Sequence, residues 1–254
     1  MKLYGAFMRF FRMVSQLYFA EIHAAGTHRI PRSGPVMVAA NHPASILDAI
    51  LLSTRVPRPV RYLARSGLFR WPLAATLFRQ LGAIPVHRPG ESPDHANRNA
   101  EMFERVHEMF EAGACVGIFP EGRNSPHGRI GQLRTGAARL ALGAEARNGY
   151  ALGLEIVPAG ITFESRELLA SSVLLRFGPP IRVADYSAEH ARAPEAAVQR
   201  LTADLQRALQ EQTLHIEDRQ TAAMALDLAR IMGDGGEPAG TGEAMADENP
   251  APPG

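Results

Sequence analysis

Cysteine is almost absent from this sequence, which contains a single one, Cys115, among its 254 residues. One cysteine excludes an internal disulfide framework and a cysteine-rich zinc site. Cys115 lies in the apolar run 114–119, so we expect it to act as a small buried hydrophobe and not as a nucleophile. Lysine is equally rare, because Lys2 is the only one and arginine supplies every other basic side chain.

The sequence also lacks a long uninterrupted apolar run. Its most apolar stretch, residues 3–20, is interrupted by Arg9, Arg12 and Gln16, whereas a membrane span needs roughly 20 apolar residues. The stretch has no small-residue cleavage site of a signal peptide. Its periodicity predicts, within residues 1–28, an amphipathic helix that either lies in the membrane interface or packs on the protein core.

Several catalytic and cofactor motifs are missing as well. The sequence contains no Gly-x-Ser-x-Gly nucleophile elbow, no His-Glu-x-x-His zinc motif and no Gly-x-x-x-x-Gly-Lys phosphate loop. We therefore expect neither a metal ion nor a bound cofactor.

The formal net charge of +1 hides an uneven distribution. Residues 1–88 contain twelve basic side chains and two acids, whereas residues 233–254 contain five acids and no base. A basic end indicates an anionic partner such as a phosphate group or an acidic lipid. We do not expect nucleic acid, because the region lacks a recognised binding motif and its arginines alternate with core-like residues. The acidic end, rich in glycine, proline and alanine, is predicted to be disordered.

Short apolar runs alternate with longer helical patterns along the chain. We expect strands at Val36–Ala40, Val60–Ala64, Ala83–His87, Cys115–Phe119, Glu155–Phe163 and Ser172–Phe177. We expect helices at Pro43–Thr54, Leu68–Gln80, Pro93–Ala112, Thr135–Arg147, Pro194–Leu214 and Thr221–Met232. The alternation predicts an α/β domain over residues 29–232, with a mainly parallel central sheet flanked by helices. The N-terminal amphipathic helix and the C-terminal helices would lie at its two ends.

The first polar segment, 41–48, reads Asn-His-Pro-Ala-Ser-Ile-Leu-Asp and follows the strand Val36–Ala40. Pro43 at the first helical position would leave His42 at the mouth of a helix. A histidine there can take a proton from a hydroxyl group, and Asp48 can orient its ring. Because six helical residues turn through about 600°, the pairing requires His42 to lie outside the helix. A helix-capping or core histidine is the alternative.

A second polar segment is 82–88, where a strand ends at Arg88. This arginine could clamp a phosphate group, or it could be an ordinary surface arginine. A fourth segment, 156–161, contains a proline and a glycine within a strand. We expect it to shape a pocket wall, with irregularity of an edge strand as the alternative.

The third segment, 118–125, carries the most information. A buried strand runs into Pro-Glu-Gly, a turn that we expect to throw Glu121 outward beside Gly122. Arg123 and Arg134 then flank the start of a helix, whose first amides favour anions. The segment therefore predicts a phosphate site, and a basic surface loop is the alternative.

These four segments, in this order, resemble the motifs of the glycerolipid acyltransferase family, and the similarity covers residues 30–183. The resemblance implies that His42 is the general base and that Asp48 orients it. It also implies a set of acceptor-binding residues: Arg88, Glu121, Gly122, Arg123 and Arg134. The arginines would hold the acceptor phosphate, and Glu121 would contact the glycerol part.

Two departures from the common family pattern concern the acceptor. Five residues separate His42 from Asp48, a spacing that resembles a subgroup reading His-Pro-x-Ser-x-x-Asp. The usual Thr-Arg-Ser after Glu-Gly is replaced by Arg-Asn-Ser at 123–125, which moves the expected phosphate-binding arginine to Arg123.

The resemblance implies transfer of a fatty acyl group from acyl-CoA or acyl-carrier protein to glycerol 3-phosphate or 1-acylglycerol 3-phosphate in phospholipid biosynthesis. The protein would act as a peripheral enzyme on the cytoplasmic face of the membrane. Two alternatives stay open. One is an acyltransferase for another lysolipid, such as a lyso-aminolipid, and the other is a catalytically silent lipid-binding protein.

Overall fold

The computed structural model describes residues 2–72, 75–76, 78, 82–86, 95–124, 130–165 and 170–213. Its helices are α1 (Lys2–Tyr18), α2 (Ile46–Arg55), α3 (His95–Glu111), α4 (Gly136–Arg147), α5 (Ser187–Arg192) and α6 (Pro194–Gln212). Its strands are β1 (Glu21–Ala25), β2 (Val36–Ala40), β3 (Val60–Arg65), β4 (Ile84–Val86), β5 (Cys115–Ile118), β6 (Glu155–Phe163), β7 (Ser172–Phe177) and β8 (Ile181–Arg182). Three short 3₁₀ turns lie at Thr27–Arg29, Ser66–Arg70 and Val183–Tyr186.

The strands form one eight-stranded sheet in the order β1-β7-β6-β2-β5-β3-β4, with β8 paired to β6. Strands β6, β2, β5, β3 and β4 run parallel to one another. Strand β7 is antiparallel to β6, and β1 follows the direction of β7. The predicted mainly parallel sheet with helices at both ends is therefore confirmed.

Helices cover both faces of the sheet, so its central strands are buried throughout, as apolar parallel strands usually are. In β2, Met37 and Ala39 face a core formed with α3, α4 and α6. The alternate residues Val36 and Val38 face a second core formed with α2 and Phe19. The two cores fix the strand ends from which the polar segments emerge.

Most predicted elements agree with the structure to within one to three residues. Strands β2, β6 and β7 have the predicted bounds, and Cys115 is buried as expected. The region predicted as the helix Leu68–Gln80 begins instead with the 3₁₀ turn Ser66–Arg70, and its remainder is described only in part. The helix predicted at Thr221–Met232 and the acidic tail 233–254 lie outside the described residues.

Strand β1 is an element that the sequence analysis did not predict. It lies within residues 1–28, a segment that was predicted as helical, and it pairs along its whole length with β7. The helical part of this segment ends at Tyr18.

Helix α1 packs against the protein through a face that contains Phe11, Ser15 and Tyr18. Ser15 is buried, and the Arg12 guanidinium donates a hydrogen bond of 3.0 Å to the carbonyl oxygen of Thr54 in α2. Phe10 and Val14 are exposed and Leu17 is 74% exposed, and the polar side chains of Arg9 and Gln16 are exposed as well. None of the helices in the described part of the chain is long and apolar enough to cross a membrane.

The fourth polar segment lies on β6, which is an interior strand and not an edge strand. Pro158 has no N–H to donate, and it sits where β6 changes its second partner from β8 to β7. A Cβ atom at Gly160 would lie 2.2 Å from the carbonyl oxygen of Gln212. Gly160 therefore allows the end of α6 to pack on the sheet.

Helix α3 contains a buried histidine that we expect to make the stability of the fold depend on pH. His107 is buried against Gly143 of α4, and its Nε2 has no hydrogen-bond partner among the described residues. Burial lowers the pKa of His107 below its usual value of 6.5, and Arg147 acts in the same direction, while Glu104 and Glu111 oppose the shift. The folded protein therefore binds this proton less readily than the unfolded chain does.

We expect the free energy of unfolding to fall as the pH drops below about 6.5, because the unfolded chain then takes up a proton that the folded state excludes. The His107→Gln variant, which cannot titrate there, should lose less stability than the wild type between about pH 7.5 and about pH 5.5. Urea unfolding across this range measures the difference. Parallel curves for the two proteins would show that His107 does not contribute.

Candidate active site

Two loops meet at the carboxyl edge of the sheet, where α/β folds usually place their sites. Strands β2 and β5 are neighbours and run in the same direction, so the loops that follow them leave the sheet side by side. The loop after β2 contains Asn41 and His42, and the loop after β5 contains Phe119 and Glu121. Segments that are far apart in the sequence are thus brought into contact.

Asn41 fixes the point at which the chain leaves β2. Its Nδ2 donates to the carbonyl oxygen of Ile161 at 2.9 Å, and its Oδ1 accepts from the N–H of Ile161 at 2.7 Å. Both groups are buried, so this side chain continues the hydrogen-bonded ladder between β2 and β6 by one more residue. No role for Asn41 was predicted from the sequence, in which its position directly before a histidine at a strand end is the only available signal.

His42 and Asp48 form the pair that the sequence predicted. Nδ1 of His42 lies 2.9 Å from Oδ2 of Asp48, whose side chain is completely buried. The same oxygen accepts a hydrogen bond of 2.8 Å from the N–H of Ala44. With Asp48 bound at Nδ1, the neutral imidazole presents its lone pair at Nε2. Because the His42 side chain is partly exposed, a substrate hydroxyl group can reach this nitrogen.

The start of α2 differs from the prediction in a way that explains the pairing. The helix begins at Ile46 and not at Pro43, so His42 lies outside it. Ser45 turns the chain with φ 59° and ψ −127°, a conformation that favours glycine and costs about 1–3 kcal/mol. This turn folds His42 back over the first turn of the helix, and Asp48 then reaches its ring.

Three aromatic rings lie nearly parallel at the site. The imidazole of His42 stacks on Phe119 with ring centroids 3.8 Å apart and an interplanar angle of 13°, and Tyr62 follows at 6.0 Å and 10°. Tyr62 is paired with Gly117 across β3 and β5, and a Cβ atom on that glycine would lie 2.4 Å from its ring. The absence of a side chain at Gly117 therefore makes room for the stack, which the sequence analysis did not foresee.

Glu121 points inward, so the expectation that the Pro-Glu-Gly turn throws it outward is wrong. The side chain is 2% exposed. Oε1 accepts from the backbone N–H of His42 at 3.2 Å, and Oε2 accepts from the N–H of Gly131 at 3.0 Å. The carboxylate thus connects the histidine loop to the segment that leads into α4. Two donated backbone hydrogen bonds explain why a carboxylate is retained in this buried position.

Gly122 and Arg134 come together beside Glu121. Gly122 has φ +66°, and a Cβ atom there would lie 2.9 Å from Cδ of Arg134. The N–H of Arg134 donates to the carbonyl oxygen of Pro120 at 2.9 Å, which fixes the start of α4 against the turn. Arg123 is exposed on the same turn. Arg88 lies outside the described residues.

An open cavity of about 650 Å³ lies beside Arg134, between residues 132–135 and helix α6. Its wall includes Arg134 but neither His42 nor Asp48. Its other lining residues are mostly polar and neutral, among them Gln199 and Gln206 of α6. The cavity therefore adjoins Arg134 and does not contain the His42–Asp48 pair.

Cys115 is not equipped for nucleophilic chemistry. Burial raises the pKa of its thiol to about 12, and Arg58 offsets this only in part. The thiolate form that a nucleophile requires is therefore scarce at neutral pH. Within the described residues, no group of three or more His, Cys, Asp or Glu side chains is arranged to hold a metal ion.

The fold and the site define an α/β protein with a histidine–carboxylate pair of the kind that removes a proton from a hydroxyl group. Residues 21–162, more than half of the chain, match the sequence profile of the Acyltransferase family. The chain belongs to this family. The matched range includes His42, Asp48, Glu121 and Arg134.

Individual relatives agree with this assignment. The chain is 27% identical over 135 residues to a chloroplastic 1-acyl-sn-glycerol-3-phosphate acyltransferase of Arabidopsis thaliana, covering 53% of this chain and 35% of that protein. It is 30% identical over 133 residues to glycerol-3-phosphate O-acyltransferase 2 of Saccharomyces cerevisiae, covering 52% and 18%. The match therefore spans about a third and about a fifth of these relatives.

A solved structure shares the fold. The 1-acyl-sn-glycerophosphate acyltransferase PlsC from Thermotoga maritima superposes with a TM-score of 0.60 at 18% sequence identity. The similarity covers 80% of this chain and 77% of that chain. It extends beyond the residues that match the family profile.

Proposed function

We propose that this protein transfers a fatty acyl group from a thioester donor to a hydroxyl group of glycerol 3-phosphate or 1-acylglycerol 3-phosphate in phospholipid biosynthesis. The observation that carries the proposal is the His42–Asp48 pair, oriented through Nδ1, at the carboxyl edge of the sheet. The relatives named above act on these two acceptors, according to their names.

The acyl-transfer reaction follows from the arrangement of His42 and Asp48. Nε2 of His42 takes the proton of the acceptor hydroxyl group, and the oxygen attacks the carbonyl carbon of the thioester. The carbon–sulfur bond breaks, the ester remains on the acceptor, and the proton on His42 passes to the departing thiolate. Asp48 stabilises the imidazolium that exists between the two proton transfers. No acyl-enzyme is required, and acyl-CoA or acyl-carrier protein enters as a co-substrate with no further cofactor.

The exposed arginines near the Glu121 turn suit a phosphate-bearing acceptor. Arg123 and Arg134 are exposed near the turn that carries Glu121, and α4 begins two residues after Arg134. A guanidinium group binds phosphate through two parallel hydrogen bonds, and the first amides of a helix add a favourable dipole. We propose that Arg123, Arg134 and Arg88 bind the acceptor phosphate and that Gly122 allows the acceptor to approach the turn.

The outward apolar face of α1 supports a peripheral position on a membrane. Phe10 and Leu17 are exposed, and so are Arg9 and Arg12, of which Arg12 also donates a hydrogen bond to the end of α2. Exposed aromatic and aliphatic side chains next to arginines suit the interface between water and lipid. We place the enzyme on the cytoplasmic face, in keeping with its single cysteine.

An acceptor comparison tests the proposal. The full chain is given radiolabelled long-chain acyl-CoA, or acyl-carrier protein in parallel, with glycerol 3-phosphate and 1-acylglycerol 3-phosphate offered separately. We expect transfer to one of them, and a rate at least about 100-fold lower with a monoacylglycerol that lacks the phosphate group, because charge-assisted hydrogen bonds are lost. Transfer to a lyso-aminolipid alone would establish the other lysolipid activity. No transfer to any acceptor would point to a silent lipid-binding protein.

A further inference from the structure

The phenyl ring that lies against His42 is held in place by the central sheet. Strand β5 pairs with β2, so Phe119, the residue after β5, lies alongside the loop that follows β2 and contains His42. Gly117 and Phe119 lie on the same side of β5, because side chains alternate along a strand. Tyr62 of β3 pairs with Gly117 and stacks on Phe119. The phenyl ring is therefore packed between a neighbouring aromatic side chain and the imidazole.

The hydrogen bonds of His42 do not by themselves fix the plane of its ring. Glu121 accepts from the backbone N–H of His42, and Asp48 binds Nδ1. Rotation of a histidine ring about its last side-chain bond has only broad preferences, so a single hydrogen bond at Nδ1 leaves the tilt of the ring open. The contact with Phe119, at an interplanar angle of 13°, sets this tilt. It therefore sets the direction in which Nε2 points.

The geometry of this contact suits a protonated imidazole better than a neutral one. Two neutral aromatic rings prefer an offset or edge-to-face arrangement, with centroids about 4.5–7 Å apart. The ring centroids of His42 and Phe119 are 3.8 Å apart, which places the imidazole over the face of the phenyl ring. A cation within about 6 Å of the centre of such a face is attracted by the negative quadrupole of the ring. The contact therefore becomes more favourable when His42 takes up a proton.

We propose that Phe119 is a positioning residue for acyl transfer, which acts through His42 by fixing the plane of its ring and by stabilising the imidazolium. The proposal rests on the proposed function, in which the imidazolium exists only between the two proton transfers. An interaction that is stronger at that stage than before it lowers the barrier. An aliphatic side chain of similar size would fill the same space, but it would have no negative face to offer the cation.

Two substitutions separate the aromatic ring from its bulk. Phe119→Leu keeps an apolar side chain and removes the aromatic face, so we expect kcat to fall about 3- to 30-fold while the KM for the acceptor stays unchanged. Phe119→Tyr keeps the face, and its kcat should stay within about twofold of the wild-type value. Steady-state acyl transfer by the purified full-length variants measures both constants.

Phe103→Leu is the matched control. Phe103 is also a partly buried phenylalanine in contact with a histidine, His107, but it lies on α3 away from the site. This variant should keep the wild-type kcat, and urea unfolding compares its stability with that of Phe119→Leu. Incorporation of trifluorophenylalanine at position 119 removes most of the quadrupole with little change of shape, and it should lower kcat about 2- to 10-fold.

Nuclear magnetic resonance of the full-length protein with isotope-labelled histidine tests the stacked geometry without a substrate. The carbon-bound ring protons of His42 are assigned as the signals that are missing from His42→Ala. Because they lie over the face of a phenyl ring, the ring current of Phe119 should shift them upfield. The shift should be lost in Phe119→Leu and kept in Phe119→Tyr.

The outcomes distinguish a failure of this inference from a failure of the proposed function. Ring protons of His42 that are not shifted in the wild type, or that stay shifted in Phe119→Leu, would overturn the stacked geometry. A folded Phe119→Leu protein with the wild-type kcat, or an equal loss in Phe119→Tyr, would overturn the need for an aromatic ring. An unchanged kcat with the fluorinated ring would overturn the stabilisation of the imidazolium. A wild type that transfers no acyl group would count against the proposed function, and the ring-proton shifts would still decide whether Phe119 fixes His42.

Discussion

Replacing His42 by alanine should lower kcat roughly 10²- to 10⁴-fold, the range expected when a general base is removed. This corresponds to about 3–5 kcal/mol of activation free energy. The loss should appear in kcat and not in the KM for the acceptor, because Arg123 and Arg134, which we propose bind the acceptor phosphate, stay in place. Steady-state rates of acyl transfer by the purified variant measure both constants.

The Asp48→Asn variant tests the second member of the pair. Asparagine keeps the volume of the buried side chain and can still accept the hydrogen bond from Ala44. It removes the negative charge next to Nδ1 of His42, so the correct tautomer and the imidazolium are no longer favoured. We expect kcat to fall roughly 10²- to 10⁴-fold. The double variant should be little worse than His42→Ala alone, since the two residues act as a unit.

His28→Ala provides the matched control, because His28 is an exposed histidine on the 3₁₀ turn Thr27–Arg29, away from the carboxyl edge. It should retain the wild-type kcat. Circular dichroism and urea unfolding establish that each variant is folded. A His42→Ala protein that is folded and retains more than about a tenth of the wild-type kcat would exclude His42 as the general base.

The fold could be predicted because its central strands carry a strong local signal. Strands β2, β5 and β6 are buried on both faces, so each appears in the sequence as a short, almost continuous apolar run. Strand β1 gives no such signal. It contains Glu21 and His23, it lies at the end of the sheet, and its only strand partner among the described residues is β7. Its existence depends on that pairing, which a local pattern cannot reveal.

The contact between His42 and Asp48 could be predicted, but the local structure that produces it could not. The sequence predicts that His42 pairs with Asp48 provided that His42 lies outside the helix, but it also predicts that α2 begins at Pro43. The actual start depends on Ser45 in a conformation that serine rarely adopts. The ring stack likewise depends on contacts between β2, β3 and β5 and on the missing side chain of Gly117. Such contacts join residues more than 50 positions apart and leave no periodic trace.

Glu121 shows most clearly why the sequence alone did not predict how the site is built. A carboxylate between a strand and a glycine, beside arginines, suggests a group that faces a substrate. In the structure, its oxygens accept hydrogen bonds from the backbone N–H groups of His42 and Gly131. Both donors are main-chain groups, which every residue possesses, so no feature of the sequence identifies them as partners.

The two hydrogen bonds of Glu121 lead us to expect a second large effect on kcat. Replacing Glu121 by glutamine should lower kcat about 10- to 100-fold, because one of the two backbone N–H groups will face the new NH₂ group and lose its acceptor, at a cost of about 1–3 kcal/mol. The loop that holds His42 is then less well fixed, and misplacement of a catalytic group reduces the rate steeply. The KM for the acceptor should change little, since the glutamate connects two loops of the protein.

Glu145 offers a matched control, because it is also a buried carboxylate that accepts hydrogen bonds from two backbone N–H groups, those of Leu152 and Leu154. It lies near the end of α4, before β6 begins, and so at the opposite edge of the sheet. Glu145→Gln should lower the free energy of unfolding by a similar amount, about 1–3 kcal/mol, and leave kcat unchanged. The two variants together separate general loss of stability from loss of the histidine position.

Kinetics of the Glu121→Gln protein distinguish the two roles that this carboxylate could have. If it held the glycerol part of the acceptor, the KM for the acceptor would rise by about tenfold or more, while the rate at saturation would be largely retained. If it positions His42, kcat falls at every acceptor concentration. A raised KM with an unchanged kcat would therefore contradict the positioning role. It would also require the carboxylate to leave its two backbone partners when the acceptor binds.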